Sequence, residues 1–220
     1  MSTPPQDPGR RLAVVLLAAG LGRRMGGPNK LLCDLEGMPV VRRAALPFRA
    51  ALPADAPRVV VTGRDAAKVT AALDGLGFSG VYNPDFSDGM GRSIAAGVAA
   101  LPADVDGILI ALGDMPGLQA DTVHAMRAAL SADLDPASAI LRPMHDGHAG
   151  HPVLWGADYR SALAALTGDR GGRDLILQHA GRLRQVVVDD PAVIRDIDQP
   201  SDLAAARALF TTDPAGKQWS

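Results

Sequence analysis

The chain has 220 residues, 22 Lys+Arg against 24 Asp+Glu, one Cys, five His, and 47% hydrophobic residues with only 4% aromatics. A chain of this length can bury roughly 70% of its unfolded surface, enough for a real core. A net charge of −2 removes any global attraction to nucleic acid or an anionic membrane, so phosphate binding must be local, and the lone Cys33 excludes a disulfide framework or a cysteine zinc site, as expected in a reducing compartment.

Residues 1–10 and 211–220 are polar, carry Pro or Gly and lack periodicity, and are expected to be disordered tails. Between them, 11–210 shows no linker and no repeat and reads as one domain. The apolar run Leu12–Ala19 is far below the roughly 20 residues that span a bilayer. It leads into Gly and Arg without a small-residue cleavage site, so a soluble cytoplasmic protein is expected. Further strand-like runs follow at Arg58–Thr62, Gly80–Tyr82, Gly107–Leu112, Ala139–Leu141 and Gln185–Val188. Helical spacing of Ala and Leu predicts helices near 39–51, 65–75, 91–101, 121–132, 158–166, 172–180 and 200–210. Pro47 should break or kink the first of these. Strands buried on both faces and alternating with helices give α/β: a Rossmann-like, three-layer, mainly parallel sheet with helices on both faces. After Asp133 the pattern is less regular and leaves room for an antiparallel strand. In such a sheet ligands lie beyond the carboxyl ends of the strands.

The first strand runs into Leu17-Ala-Ala-Gly-Leu-Gly-Arg-Arg-Met-Gly-Gly-Pro-Asn-Lys30, and from Arg10 to Cys33 there are five basic residues and no acidic one. Gly20, Gly22, Gly26 and Gly27 let the backbone turn its amides toward an anion, and Arg23, Arg24 and Lys30 can add charge-assisted hydrogen bonds. The stretch is neither a Walker loop, since Pro28 follows Gly27, nor a dinucleotide fingerprint, since Met25 stands where its last glycine belongs.

The fourth strand ends in Gly113-Asp114-Met-Pro. A carboxylate leaving a buried strand must be solvated, hydrogen-bonded or metal-bound, so Asp114 is either a cap of the next turn or a ligand for a hard cation such as Mg²⁺. In Arg195-Asp-Ile-Asp-Gln-Pro-Ser-Asp202, alternation would place Asp196 and Asp198 on one face, while Asp202, past Pro200, favours the dipole of the last helix. The Gly-rich entry Asp88-Gly-Met-Gly-Arg-Ser93 offers free amides to a nucleotide or is an ordinary helix start. His145, His148 and His151 lie three apart in a Gly-containing loop; their spacing leaves zinc, substrate contact and plain solvation open. Gly168-Asp-Arg-Gly-Gly-Arg173 is a second Gly-Arg loop, either a surface helix start or a phosphate clamp through Arg173. Cys33 reads as a small buried residue.

Leu17-Ala-Ala-Gly-x-Gly-x-Arg-Met-Gly-x-x-x-Lys30, followed by Leu-Leu, resembles the signature loop of the MobA-like NTP transferases, the molybdenum cofactor cytidylyltransferases in particular. That resemblance implies a fold of the nucleotide-diphospho-sugar transferase type. It implies nucleotide binding by Leu17, Ala18, Ala19, Gly20, Gly22, Arg23, Arg24, Lys30, Gly91 and Ser93, with Arg24, Lys30 and Asp114 catalytic. Gly-Asp-Met-Pro and Asp-Ile-Asp-x-Pro-x-Asp-Leu resemble the family's metal segments and imply Mg²⁺ on Asp114 and Asp198, with Asp196 in reserve. Gly150-His-Pro-Val and Gly-Asp-x-Gly-x-Arg imply acceptor contacts by His151 and Arg173. The implied reaction transfers NMP from an NTP, CTP favoured by Ala19, to a phosphorylated acceptor, molybdopterin favoured, for a molybdoenzyme or its chaperone. Gly22 replaces a serine common in the cytidylyl group, and Arg92 replaces a small residue. GTP, a sugar or polyol phosphate acceptor, a non-catalytic delivery protein and a dinucleotide oxidoreductase are the competing expectations.

Overall fold

The computed structural model describes residues 10–20 and 29–212; residues 1–9 and 213–220 of the predicted tails and the segment 21–28, with Gly22, Arg23 and Arg24, lie outside them, while the last helix runs to Thr212, two residues into the predicted tail. The sheet starts with β1 (Leu12–Ala18), flanked in parallel by β2 (Arg58–Thr62) and β4 (Gly107–Leu112), with β3 (Ser79–Tyr82) parallel to β2 at the edge. β1 is apolar without alternation because both its faces are covered. Leu12, Val14, Leu16 and Ala18 join one core cluster and Ala13 and Val15 the other.

The first cluster is closed by α1 (Val40–Ala51), α2 (Ala66–Ala72) and α4 (Ala120–Ala132), through Val41, Phe48, Val69 and Met126. The second is closed by α3 (Met90–Ala99) and α5 (Arg160–Ala164), through Ile94, Val98 and Leu163, with Leu175 and Ile176 of α6 (Arg173–Gln178) packed against it. The three predicted layers are therefore present. Gly97 is needed where α3 meets the sheet, since a Cβ there would lie 2.3 Å from Val15 Cγ1.

The irregular second half adds β5 (Ile140–His145), β6 (His148–Ala149), β7 (Val153–Gly156) and β8 (Leu183–Val187). β7 inserts antiparallel between β4 and β5, and β8 pairs parallel with β5. β6 is antiparallel to β5, and β7, antiparallel to both its neighbours, is a strand the sequence pattern does not single out, because three apolar residues between Pro152 and Gly156 carry no period. Since β4 and β5 both oppose β7, they run the same way and end on the same rim.

Pro47 neither ends nor breaks α1, which continues to Ala51. Its missing hydrogen bond costs about 3 kcal/mol. The helix buries Val40, Val41, Pro47 and Phe48, each large apolar side chain contributing roughly 1.5–3 kcal/mol, so packing outweighs the loss. The last helix, α7 (Pro200–Thr212), lies over Leu35 and Val40 through Leu203 and Ala206.

Candidate active site

The end of β1 is fixed to the end of β4 by Gly113 N–H donating to the Leu17 carbonyl at 2.9 Å. Ala18 and Ala19 are buried and Gly20 is open to solvent. The chain re-enters the described structure at Asn29, whose side-chain oxygen accepts from Leu31 N–H and nucleates a short 3-10 turn, Lys30–Leu32. Asn29 also reaches Asp65 at 3.5 Å. This turn aims a buried lysine at the rim. Lys30 Nζ donates to Asp114 Oδ2 at 2.7 Å and to Asp198 Oδ1 at 2.8 Å.

Residues 84 and 168 positions from Lys30 are thereby joined. Ile197 N–H donates to the Asp114 carbonyl at 2.9 Å, which clips the late segment onto the end of β4. Asp202 accepts from the Asp198 and Gln199 N–H groups, at 2.9 and 2.7 Å, so it caps the entry to α7 and fixes the turn carrying Asp198. Asp114, Asp196 and Asp198 offer oxygens within 4.8 Å of one another. Asp114 Oδ1 is buried and unpartnered.

Charge explains the proton affinities. Burial, the strongest influence on Lys30, pulls its pKa down, but Asp114 and Asp198 outweigh it and hold the ammonium above its ordinary value. Burial, then Asp114 and Asp198, push the Asp196 carboxyl up. Among the described residues, three carboxylates meet one ammonium here. Hard oxygen donors in that number suit a divalent cation such as Mg²⁺, and the orphaned Asp114 oxygen fits such an ion.

The remaining predicted residues are more dispersed. Gly91 donates its N–H to Gly168 at 2.8 Å, and a Cβ on it would lie 2.5 Å from the Thr167 carbonyl oxygen. Its glycine is thus required by the close approach of the 167–169 backbone. Ser93 is buried, with its hydroxyl accepting from Asn83 at 3.1 Å. His151 lines a small cavity of about 10 Å³ with Ala44, Phe48 and Met115; burial, then Arg142, lower its pKa to about 4. Arg173 is exposed at the start of α6. His145 and His148 pair across β5 and β6, yet with His151 they form no metal-suited group among the described residues: His145 Nδ1 faces the Val188 carbonyl and His148 Nδ1 that of Asp146. Cys33 is half-buried beside Leu35 and Val40. Sequence reading missed Asn29 and Asn83, whose Asn-Lys and Asn-Pro contexts mark only turns, and Arg142, an arginine in a strand with no local signal.

A family model, the MobA-like NTP transferase domain, matches residues 14–186. The chain belongs to this family. It is 32% identical over 194 residues to nicotine blue oxidoreductase of Paenarthrobacter nicotinovorans, covering 84% of this chain and 90% of that one. It is 27% identical over 200 residues to molybdenum cofactor cytidylyltransferase of Escherichia coli, covering 90% and 96%. It spans only 52% of the bifunctional protein GlmU of Sphingopyxis alaskensis, at 29% identity. Among solved structures, a nucleotidyl transferase from Methanothermobacter superimposes with TM-score 0.77 at 26% identity over 93% of this chain and 99% of that one. Rv0371c of Mycobacterium tuberculosis in complex with manganese does so with TM-score 0.69 at 26% identity, over 90% and 98%. As a MobA-like NTP transferase the chain is a nucleotidyltransferase enzyme. Among the described residues, no helix is long and apolar enough to cross a membrane.

Proposed function

We propose that this MobA-like transferase moves CMP from CTP to the phosphate of molybdopterin, releasing pyrophosphate, in the cytoplasm and with Mg²⁺ as its divalent ion. The observation that carries the reading is the buried lysine hydrogen-bonded to Asp114 and Asp198 at the carboxyl rim of β1 and β4, with Asp196 offering a third carboxylate within 4.8 Å of the other two. An oxygen of the acceptor phosphate attacks the α-phosphorus of the nucleotide, and the bond from that phosphorus to the pyrophosphate oxygen breaks. The leaving pyrophosphate keeps the electron pair. No protein nucleophile is required; positioning and neutralisation of charge lower the barrier.

Lys30 has three N–H donors and uses two on carboxylates, which leaves one for a phosphate oxygen. Asp114 and Asp198, with Asp196 beside them, would hold the magnesium, which when bound supplies neutralising charge to the triphosphate. The nucleotide would lie along Leu17, Ala18, Ala19 and Gly20, with Gly22, Arg23 and Arg24 beyond the described residues. Gly91 shapes the facing loop, and Ser93 keeps its O–H to donate. His151 and Arg173 are assigned to the acceptor side. Cytosine and molybdopterin are supported by Ala19 and by the likeness to the Escherichia coli cytidylyltransferase; a divalent ion is supported by the carboxylate trio and by the manganese complex of Rv0371c.

The test measures pyrophosphate release with CTP, GTP, ATP and UTP, each with Mg²⁺ and purified molybdopterin. Release confined to CTP and dependent on molybdopterin is expected; turnover with GTP alone, or with a sugar phosphate alone, overturns the substrate pair. The likeness to nicotine blue oxidoreductase favours a second reading, electron transfer to an organic substrate. The metal-suited carboxylates have no evident use in that chemistry. NAD(P)H oxidation with nicotine blue, in the absence of any nucleoside triphosphate, would establish it.

A further inference from the structure

We propose that Arg142 joins Arg173 to form the subsite that grips the dianionic phosphate of the acceptor, a placement that rests on the transferase reading above. Ile140 of β5 pairs with Trp155 of β7, so Arg142, two residues further along β5, projects from the same face of the sheet. Gly172 lies directly on the Trp155 ring, where a Cβ would approach Cζ2 to 2.8 Å, and Arg173 follows it. Arg142 thus lies on the face of the sheet that the chain around Gly172 and Arg173 covers, and the Arg173 charge bears on it.

Arg142 is half-buried and held in place by neutral groups. Nε donates to the Gly150 carbonyl at 3.1 Å and Nη2 to that of Ala149 at 3.3 Å. Among the described residues neither Arg142 nor Arg173 forms an ion pair with a carboxylate. Burial and then the Arg173 charge depress the Arg142 pKa, and the Arg142 charge in turn bears on His151. Two like charges that bear on each other, with no carboxylate paired to either among the described residues, are relieved by an anion. Two guanidinium groups match a phosphomonoester dianion better than a single carboxylate, and their planar forks read phosphate oxygens in pairs.

The position is also the useful one. Gly150 sits so close to Val193 that a Cβ would lie 2.2 Å from its carbonyl oxygen, and His151 N–H donates to that same oxygen at 2.8 Å. Val193 leads within three residues to Asp196. The 149–151 backbone that holds Arg142 is therefore packed on the segment that leads to Asp196 and Asp198, so a phosphate on the arginines and a metal-bound nucleotide on the aspartates would rest on adjoining backbone.

The test titrates inorganic phosphate into the full-length protein by calorimetry, with and without magnesium CTP, for the wild type and for Arg142→Gln, Arg142→Lys and Arg173→Gln. One phosphate per chain is expected, undisturbed by CTP, with affinity falling by about tenfold or more in either Gln variant and partly restored by Lys. Phosphate displaced by magnesium CTP would be occupying the triphosphate position and would overturn the subsite. So would a wild type that binds no phosphate, or an affinity unchanged in Arg142→Gln. Loss of phosphate and nucleotide affinity together in both Arg142 variants would mark a purely structural role and overturn it too. If magnesium CTP fails to bind the wild type while phosphate binding still depends on Arg142, the anion site stands and the CTP reading falls.

Discussion

Lys30 shows how much a single side chain must do here. Its ammonium is buried, shared between Asp114 and Asp198, and aimed by a turn that begins at Asn29. If it is the preorganised charge for the triphosphate, Lys30→Ala lowers the steady-state rate of pyrophosphate release by about 10²–10³. A rate within about threefold of wild type would sink that assignment. His151 supplies a prediction about stability. Its folded pKa of about 4 lies below the ordinary 6.5, so the unfolded chain takes up a proton that the folded chain refuses. The resulting stability is whole above pH 6.5 and lost as pH falls toward 4, roughly 3 kcal/mol over the full window. Chemical denaturation at pH 7 and pH 5 should show a drop in the wild type that His151→Gln flattens; parallel losses in both proteins would contradict it.

At the scale of elements, the arginine richness of the chain, 19 Arg against three Lys, has a structural use. Arg58 is buried and donates to the carbonyls of Phe48, Leu52, Pro53, Ala54 and Ala56, closing the end of α1. Arg42 does this for α2, through Ala72 and Asp74, and Arg160 for α3, through Val98, Leu101 and Pro102. Charge at a helix C-terminus and satisfaction of its orphan carbonyls act together. Arg58→Lys keeps the charge but not the fork and should cost about 1.5–3 kcal/mol, read as a lowered urea midpoint. Gly97→Ala tests the contact between α3 and the sheet. The added methyl meets Val15 and Val61 at 2.3 and 2.7 Å, and overpacking of this kind costs about 1–3 kcal/mol. The melting temperature should fall by about 2–4 °C for each of those kcal/mol; an unchanged melting temperature would mean that α3 can shift outward freely.

For the whole molecule, the decisive feature is the cluster that topology gathers on the rim. Segments that are far apart in sequence bring three carboxylates and one ammonium together among the described residues, and hard oxygen donors in that number suit a divalent cation. Binding that ion should stabilise the fold by about 2.7 kcal/mol at a hundredfold excess over its Kd. Thermal melts with Mg²⁺ or Mn²⁺ should rise, and Asp114→Asn should remove most of the rise. A metal-independent melting temperature in the wild type would deny the site.

The α/β class is legible in the amino acids alone, because buried parallel strands are short continuous apolar runs, as in Leu12–Ala18 and Gly107–Leu112, alternating with helical spacing. The sequence also determined Lys30, Asp114 and Asp198 as candidates, since each stands in a motif whose residues are near one another in the chain. Only the tertiary structure decided that Asp196 joins them within 4.8 Å, that Pro47 is carried inside α1, and that Gly91 serves the 167–169 backbone. Arg142 and the antiparallel β7 were likewise invisible until folded. The physical reason is range: a motif or a periodicity records interactions between neighbours in the chain. Burial balances and charge clusters are sums over residues that only the fold makes neighbours.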